Sequence, residues 1–214
     1  FLYEEKAALE ETGDGLIIST DRVIGADAAE TNLVRAGDTL SASTSWINTG
    51  NVDLEISGVT GLTSDANAVL ASYGLSNQSL SGGSFGEDGF ISSTDELTLT
   101  ADITITGDAG SVVDLSKSIF EVSATGIEES FSNSKGTKNL ITYQGDLNYD
   151  GRVSMKDLAY LNAGAARVNS GGEVAGDVDA NYDDSIDLLD LAVLDKDWGK
   201  TLHSGADDFL GSND

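Results

Sequence analysis

Glu96-Leu97-Thr98-Leu99-Thr100-Ala101-Asp102-Ile103-Thr104-Ile105-Thr106 alternates apolar and polar residues without a break. Successive side chains of a strand point to opposite faces, so Leu97, Leu99, Ala101, Ile103 and Ile105 share one face. Thr98, Thr100, Asp102 and Thr104 share the other. Such a strand buries one face and wets the other. Upstream, TLSASTSWI (39–47) repeats the pattern, with Leu40, Ala42, Thr44 and Trp46 on one side. The turn signal Asn48-Thr49-Gly50-Asn51 and a further strand around Val52, Leu54 and Ile56 follow it. GLIIST (15–20), SVVDL (111–115) and SIFEVSA (118–124) raise the expectation to six or seven short strands, in a meander or Greek key. Trp46 reads as a core anchor rather than a sugar platform. The Gly- and Ser-rich stretch from Ser76 to Gly89 reads as a long loop whose Glu87 and Asp88 face water.

A second pattern takes over near residue 144. DLNYDGRVSMKDLAYL (146–161) and DANYDDSIDLLDLAVL (179–194) match in Asp, Asn, Tyr, Asp, Asp, Leu, Ala and Leu at equivalent places. A hard cation such as calcium takes about six to eight oxygens. The run D-x-N-x-D wraps three side-chain oxygens around one point, the carbonyl at loop position 7 adds another, and position 12 completes the set. The expected ligands are Asp146, Asn148, Asp150, the carbonyl of Arg152 and Asp157 in loop one. In loop two they are Asp179, Asn181, Asp183, the carbonyl of Ser185 and Asp190. Gly151 sits at position 6, where the chain needs a left-handed turn, and loop two places Asp184 there. Ser154 and Asp187 at position 9 act directly or through water. Val153 and Ile186 at position 8 suit a short β-contact between the loops. An apolar helical pattern follows each loop: Leu158, Leu161 and Ala165, then Leu191, Leu194 and Trp198. The flanking NLITYQG and SGGEVAG are no incoming helices, so the unit is one loop and one helix, used twice.

Composition narrows the function classes. The 214 residues carry 37 acidic against 11 basic side chains, a formal charge of -26, which disfavours nucleic acid and anionic membrane surfaces and leaves cations as natural partners. No cysteine is present, which removes disulfides, thiolate metal sites and thiol catalysis. No stretch approaches the roughly 18 to 20 apolar residues that span a bilayer, and no charged n-region with an apolar run opens the chain. A soluble segment without membrane insertion is expected. The lone histidine, His203, lies in a polar tail, and no carboxylate pair outside the loops sits on an aromatic-lined segment, so an enzyme is not expected.

The order Ala36-Gly37-Asp38-Thr39-Leu40, Asn48-Thr49-Gly50-Asn51-Val52-Asp53-Leu54 and Phe120-Glu121-Val122-Ser123-Ala124-Thr125-Gly126 resembles the Ig-like repeats of bacterial surface proteins. That resemblance implies an antiparallel β-sandwich with a spacer or stalk role. Two calcium loops, each followed by one helix and each with aspartate at position 12, resemble the type I dockerin module of bacterial scaffolding and surface proteins. This second resemblance implies two calcium ions required for folding and a cohesin-type partner. The partner-facing pairs at positions 10 and 11 map onto Met155-Lys156 and Leu188-Leu189. Alternatively, Leu188 and Leu189 pack against the β-domain, and the ions stiffen a joint between adjacent domains of one large adhesin. The tail from Ser204 to Asp214 faintly resembles one glycine and aspartate turn of RTX proteins. The expected fold class is thus mainly β with a small α module. A lead-in at 1–14 precedes an Ig-like sandwich at 15–143, a dockerin-like module at 144–201 and a flexible or RTX-like tail at 202–214. The expected setting is extracellular or the bacterial cell surface. A carbohydrate-binding sandwich is disfavoured by the core-facing pattern of Trp46.

Overall fold

The computed structural model describes residues 6–20, 33–61, 65–78, 90–91, 95–115, 120–125, 131–132, 138–172 and 178–202. The loop expectation at Glu87 and Asp88, the histidine at 203 and the RTX-like tail from Ser204 lie outside them. The protein is mainly β with a small α portion. Among the described residues eleven strands run in chain order: β1 Leu9–Thr20, β2 Leu33–Arg35, β3 Thr39–Asn48, β4 Leu54–Gly61, β5 Ala68–Gln78, β6 Phe90–Ile91, β7 Glu96–Ile105, β8 Val112–Asp114, β9 Phe120–Ala124, β10 Phe131–Ser132 and β11 Lys138–Thr142. Two helices follow, α1 Met155–Asn169 and α2 Leu188–Asp197.

The strands form sheets in the orders β1-β3-β7-β5, β10-β9-β4-β6 and β2-β11-β8. The alternating stretches behave as their pattern dictates. Leu97, Leu99, Ala101, Ile103 and Ile105 of β7 are all buried, as are Leu40, Ala42, Thr44 and Trp46 of β3. The two strands pair antiparallel with Trp46 opposite Leu97 and Ala42 opposite Ala101. Both strands therefore present their apolar faces to one core, joined by Leu54 of β4, Phe120 and Val122 of β9, Val113 of β8 and Ile141 of β11.

Several features depart from the sequence reading: the described strands outnumber the expected six or seven, and the stretch expected as a loop from Ser76 opens inside β5, which runs to Gln78. β1 starts at Leu9 rather than Gly15, and Leu9 is buried in the main core, so the lead-in is in part a sheet strand. The Asn48–Asn51 turn does not close a hairpin: β3 neighbours β1 and β7, while β4 neighbours β9 and β6. The buried Asn48 side chain makes this crossing. Its Nδ2 donates to Val52 O at 2.8 Å and its Oδ1 accepts from Gly50 N at 2.9 Å. Finally, the sheets are not purely antiparallel. β11 pairs parallel with β2, Thr142 lying opposite Arg35, and this pair carries the chain into the first acidic loop.

Candidate metal centre

β11 ends at Thr142 and the first acidic loop begins four residues later, anchored at once by a bond from Thr142 Oγ1 to Asp146 Oδ2 at 2.5 Å. Within loop one, Asp146 accepts from Asp150 N and Gly151 N at 3.1 and 2.8 Å. Asn148 Oδ1 accepts from Asp150 N and Asp150 Oδ1 from Arg152 N, both at 3.1 Å. Asp157 reaches back, accepting from Asn148 N at 3.2 Å and Ser154 N at 2.7 Å. Loop two repeats the scheme. Asp179 accepts from Asp183 N and Asp184 N at 3.3 and 2.7 Å, and Asp183 Oδ1 accepts from Ser185 N at 3.0 Å. Asp190 accepts from Ala180 N and Asp187 N, both at 2.7 Å. The two loops thus close hydrogen-bonded rings of the same scheme, with Arg152 N and Ser185 N at the equivalent place in each.

Backbone conformation repeats as well. Position 6 is left-handed in both loops, at φ +78° for Gly151 and +63° for Asp184, so aspartate does adopt the conformation expected of glycine. Position 4 is left-handed too, at +55° for Tyr149 and +59° for Tyr182, which the ligand spacing alone did not reveal. Helix formation is tied to the same residues. Ser154 and Asp187 are the N-caps of α1 and α2, and Asp157 and Asp190 complete capping boxes by binding the cap N–H. Position 12 is therefore both a candidate ligand and part of the first helical turn, where it closes the cap.

Burial gives the rings their electrostatic character. Asp146, Asp157 and Asp190 are wholly buried and Asp179 nearly so. Burial pushes the Asp146 carboxyl up to about 7, with Asp157 and Asp150 adding repulsion against the bonds from Thr142 and Gly151. Burial also raises Asp157 and Asp179, against their backbone N–H bonds. Among the described residues no salt bridge reaches Asp146, Asp157, Asp179 or Asp190; Lys156 pairs instead with Asp150, at 3.1 Å. Nor is any group of three or more His, Cys, Asp or Glu side chains among the described residues drawn together into a ready-made metal cage. The loop N–H groups engage the carboxylates instead. The donors are nonetheless all oxygen, the set that suits a hard cation. Buried carboxylates without a basic neighbour are costly unless a cation balances them.

The expected β-contact between Val153 and Ile186 is not formed. Val153 N donates to Lys200 O at 3.0 Å and Gly199 N to Val153 O at 2.9 Å, and Arg152 forms an antiparallel bridge with Thr201. Loop one is thereby paired with the segment after α2. Ile186 turns instead toward α1, packing with Leu147, Leu161, Ala180 and Leu194. Gly164 permits this close approach, since a Cβ there would stand 2.6 Å from Val178 Cγ2. Of the apolar pattern Leu191, Leu194 and Trp198, Leu194 is buried while Leu191 and Trp198 are exposed; α2 buries Asp190, Leu194 and Asp197. Asp190 must face the loop, and one turn later that face carries Leu194.

The candidate partner positions are all on the surface. Met155 is 66% exposed, Leu188 79% and Leu189 57%, so neither leucine packs against the β-domain. Leu188, Leu191, Ala192, Asp195 and Trp198 line an open groove on α2. The loops touch the β-domain by other residues. Tyr149 packs with Leu33, Leu140 and Leu202, which places Leu202 with the loops rather than with a loose tail. No family model, no characterised protein and no solved structure matches the chain.

Proposed function

We propose that this chain is a calcium-dependent protein-interaction segment of an extracellular or bacterial cell-surface protein. In this reading an Ig-like β-domain carries a dockerin-like module that takes two calcium ions and captures a cohesin-type partner. The observation that carries it is the twice-repeated pair of buried carboxylates, Asp146 with Asp157 and Asp179 with Asp190, which no salt bridge reaches among the described residues, each pair feeding one helix. Asp146, Asn148, Asp150, Asp157 and the Arg152 carbonyl would hold one ion, and Asp179, Asn181, Asp183, Asp190 and the Ser185 carbonyl the other. Bound calcium supplies the positive charge that offsets their burial. The helices then offer Met155, Lys156, Leu188 and Leu189, with the α2 groove beside them, to the partner. Exposed apolar side chains gathered on one helix are the usual mark of a docking surface. The expected result is that a Leu188→Asp, Leu189→Asp double variant keeps two bound ions and its helix content but loses capture of a cohesin domain. Capture that survives the double change contradicts this assignment.

A second reading, a calcium-stiffened extender within a large adhesin, is favoured by the contact between the loops and the β-domain. Adjacent domains of the same protein would then be the partners. Small-angle scattering with and without chelator tests it: loosening on calcium removal is expected, and an unchanged profile speaks against it.

A further inference from the structure

Position 4 of a twelve-residue calcium loop lies between two ligands and supplies none itself, yet here both copies hold a tyrosine in a left-handed conformation. Bulky residues seldom accept that conformation, so the surroundings must enforce it. Both rings converge on one pair of residues in the β-domain. Tyr149 Oη lies 3.1 Å from each carboxylate oxygen of Asp38, and Tyr182 Oη donates to Asp38 Oδ1 at 2.8 Å. The Arg35 guanidinium stands 5.1 Å from the ring centroid of Tyr149 and 5.3 Å from that of Tyr182. Its Nε donates to Tyr149 Oη at 3.1 Å and lies 3.4 Å from Asp38 Oδ1. Arg35 is wholly buried, and Tyr149 and Asp38 are nearly so.

Arg35 and Asp38 are themselves fixed by a tight turn. Asp38 N donates to Arg35 O at 3.1 Å, Arg35 N to Asp38 Oδ2 at 2.7 Å, and Gly37 between them has φ +97°. A Cβ on Gly37 would stand 2.3 Å from Tyr182 Cε2, so the ring lies directly on the turn. Loop one has a second link to this place, because Thr142, which bonds Asp146, pairs with Arg35 across the parallel strands.

We infer that the buried Arg35–Asp38 pair couples the two acidic loops, so that ion binding in one loop strengthens binding in the other through Tyr149 and Tyr182. The inference rests on the calcium reading of the loops. Each tyrosine is flanked by the Asn and Asp that would hold the ion, so fixing those ligands fixes the ring between them. A ring fixed on Arg35 and Asp38 leaves that pair in place for the other ring. Such coupling is reciprocal and amounts to about fivefold or more in affinity where it is effective.

The test is a calcium titration followed by the backbone amide resonances of Gly151 and Asp184, which report the two loops separately. Asp150→Ala, which removes a ligand from loop one, is expected to move the Asp184 midpoint to higher calcium by about fivefold or more. Tyr149→Phe, which keeps the ring and every ligand, is expected to move the Asp184 midpoint in the same direction. The double variant should shift it no further than Asp150→Ala alone, since both changes cut one path. A purely local packing role for Tyr149 gives additive shifts instead, and overturns the inference, as does an Asp184 midpoint indifferent to Tyr149→Phe. The reciprocal variant Tyr182→Phe should weaken loop one, read at Gly151, and a Gly151 midpoint that stays in place also overturns it. In either case the calcium reading stands if the wild-type protein binds two ions. A wild-type protein in which neither amide responds to calcium overturns both.

Discussion

Asp146 illustrates how far one residue carries the chemistry. Its carboxyl is pushed up to about 7 from an ordinary 3.8, chiefly by burial, so the ion-free folded protein holds this proton more tightly than the unfolded chain does. The stabilisation is then fully present below about 4 and is lost as pH rises through about 7. Asp157 and Asp179 shift in the same direction. The chelated protein should consequently melt at a higher temperature at pH 5 than at pH 8, and the opposite order would contradict the assignment of these carboxylates as uncompensated. On the proposed calcium reading the ion competes with that proton, and its affinity should fall as pH drops below about 7. Gly37 makes a separate case. Alanine there must accept φ +97° and a Cβ 2.3 Å from Tyr182, so Gly37→Ala is expected to cost about 1 to 3 kcal/mol. An unaltered thermal midpoint would mean that the Tyr182 ring does not rest on the turn in solution. The duplicated loop and its turn at position 6 were readable in DLNYDGR and DANYDDS because they depend on residue type alone. The tyrosine at position 4 repeated in plain sight, but its partners Arg35 and Asp38 lie more than a hundred residues earlier, beyond the reach of any local pattern.

At the scale of elements, periodicity located the strands that bury one full face and missed those defined by long-range pairing. ELTLTADITIT and TLSASTSWI announce β7 and β3 because each alternates over its whole length. β2 and β11 are short, buried on consecutive residues and paired parallel, so neither shows a period of two. The apolar spacing after each loop points to a helix, and both helices form, each starting two residues before position 12, at Met155 and Leu188. Of the expected apolar spacing Leu191, Leu194 and Trp198, Leu194 alone is buried, because Asp190 must turn to its loop and sets the rotation of the helix. Leu194→Ala should therefore cost about 2 to 5 kcal/mol in the stability of the loop module. Leu188→Ala, at a side chain 79% exposed, should stay within about 0.5 kcal/mol. Comparable losses at both positions in chemical unfolding would place the core of α2 elsewhere.

For the whole molecule, the contact of the loops with the β-domain bears on the proposed role of calcium. Tyr149 shares a small apolar cluster with Leu33 and Leu140, and Arg35 Nη1 reaches Gln144 O at 3.4 Å, so the module and the β-domain meet through both apolar and polar groups. The sequence announced two regions by the change from alternating strands to acidic repeats. It did not announce this contact, because its β-side residues, Leu33, Arg35, Asp38 and Leu140, are scattered over a short strand, a turn and a distant strand. If calcium holds the carboxylate rings together, the ions support the helices directly and the contact with the β-domain indirectly, and folding of the module is part of ion binding. The most direct test is a calorimetric titration of the chelated protein with calcium, accompanied by circular dichroism in the helical region. Two ions bound, with a gain of helical signal, is the expected result. Absence of binding, or binding that leaves the helical signal unchanged, would contradict the claim that the paired acidic loops are calcium sites on which the module depends.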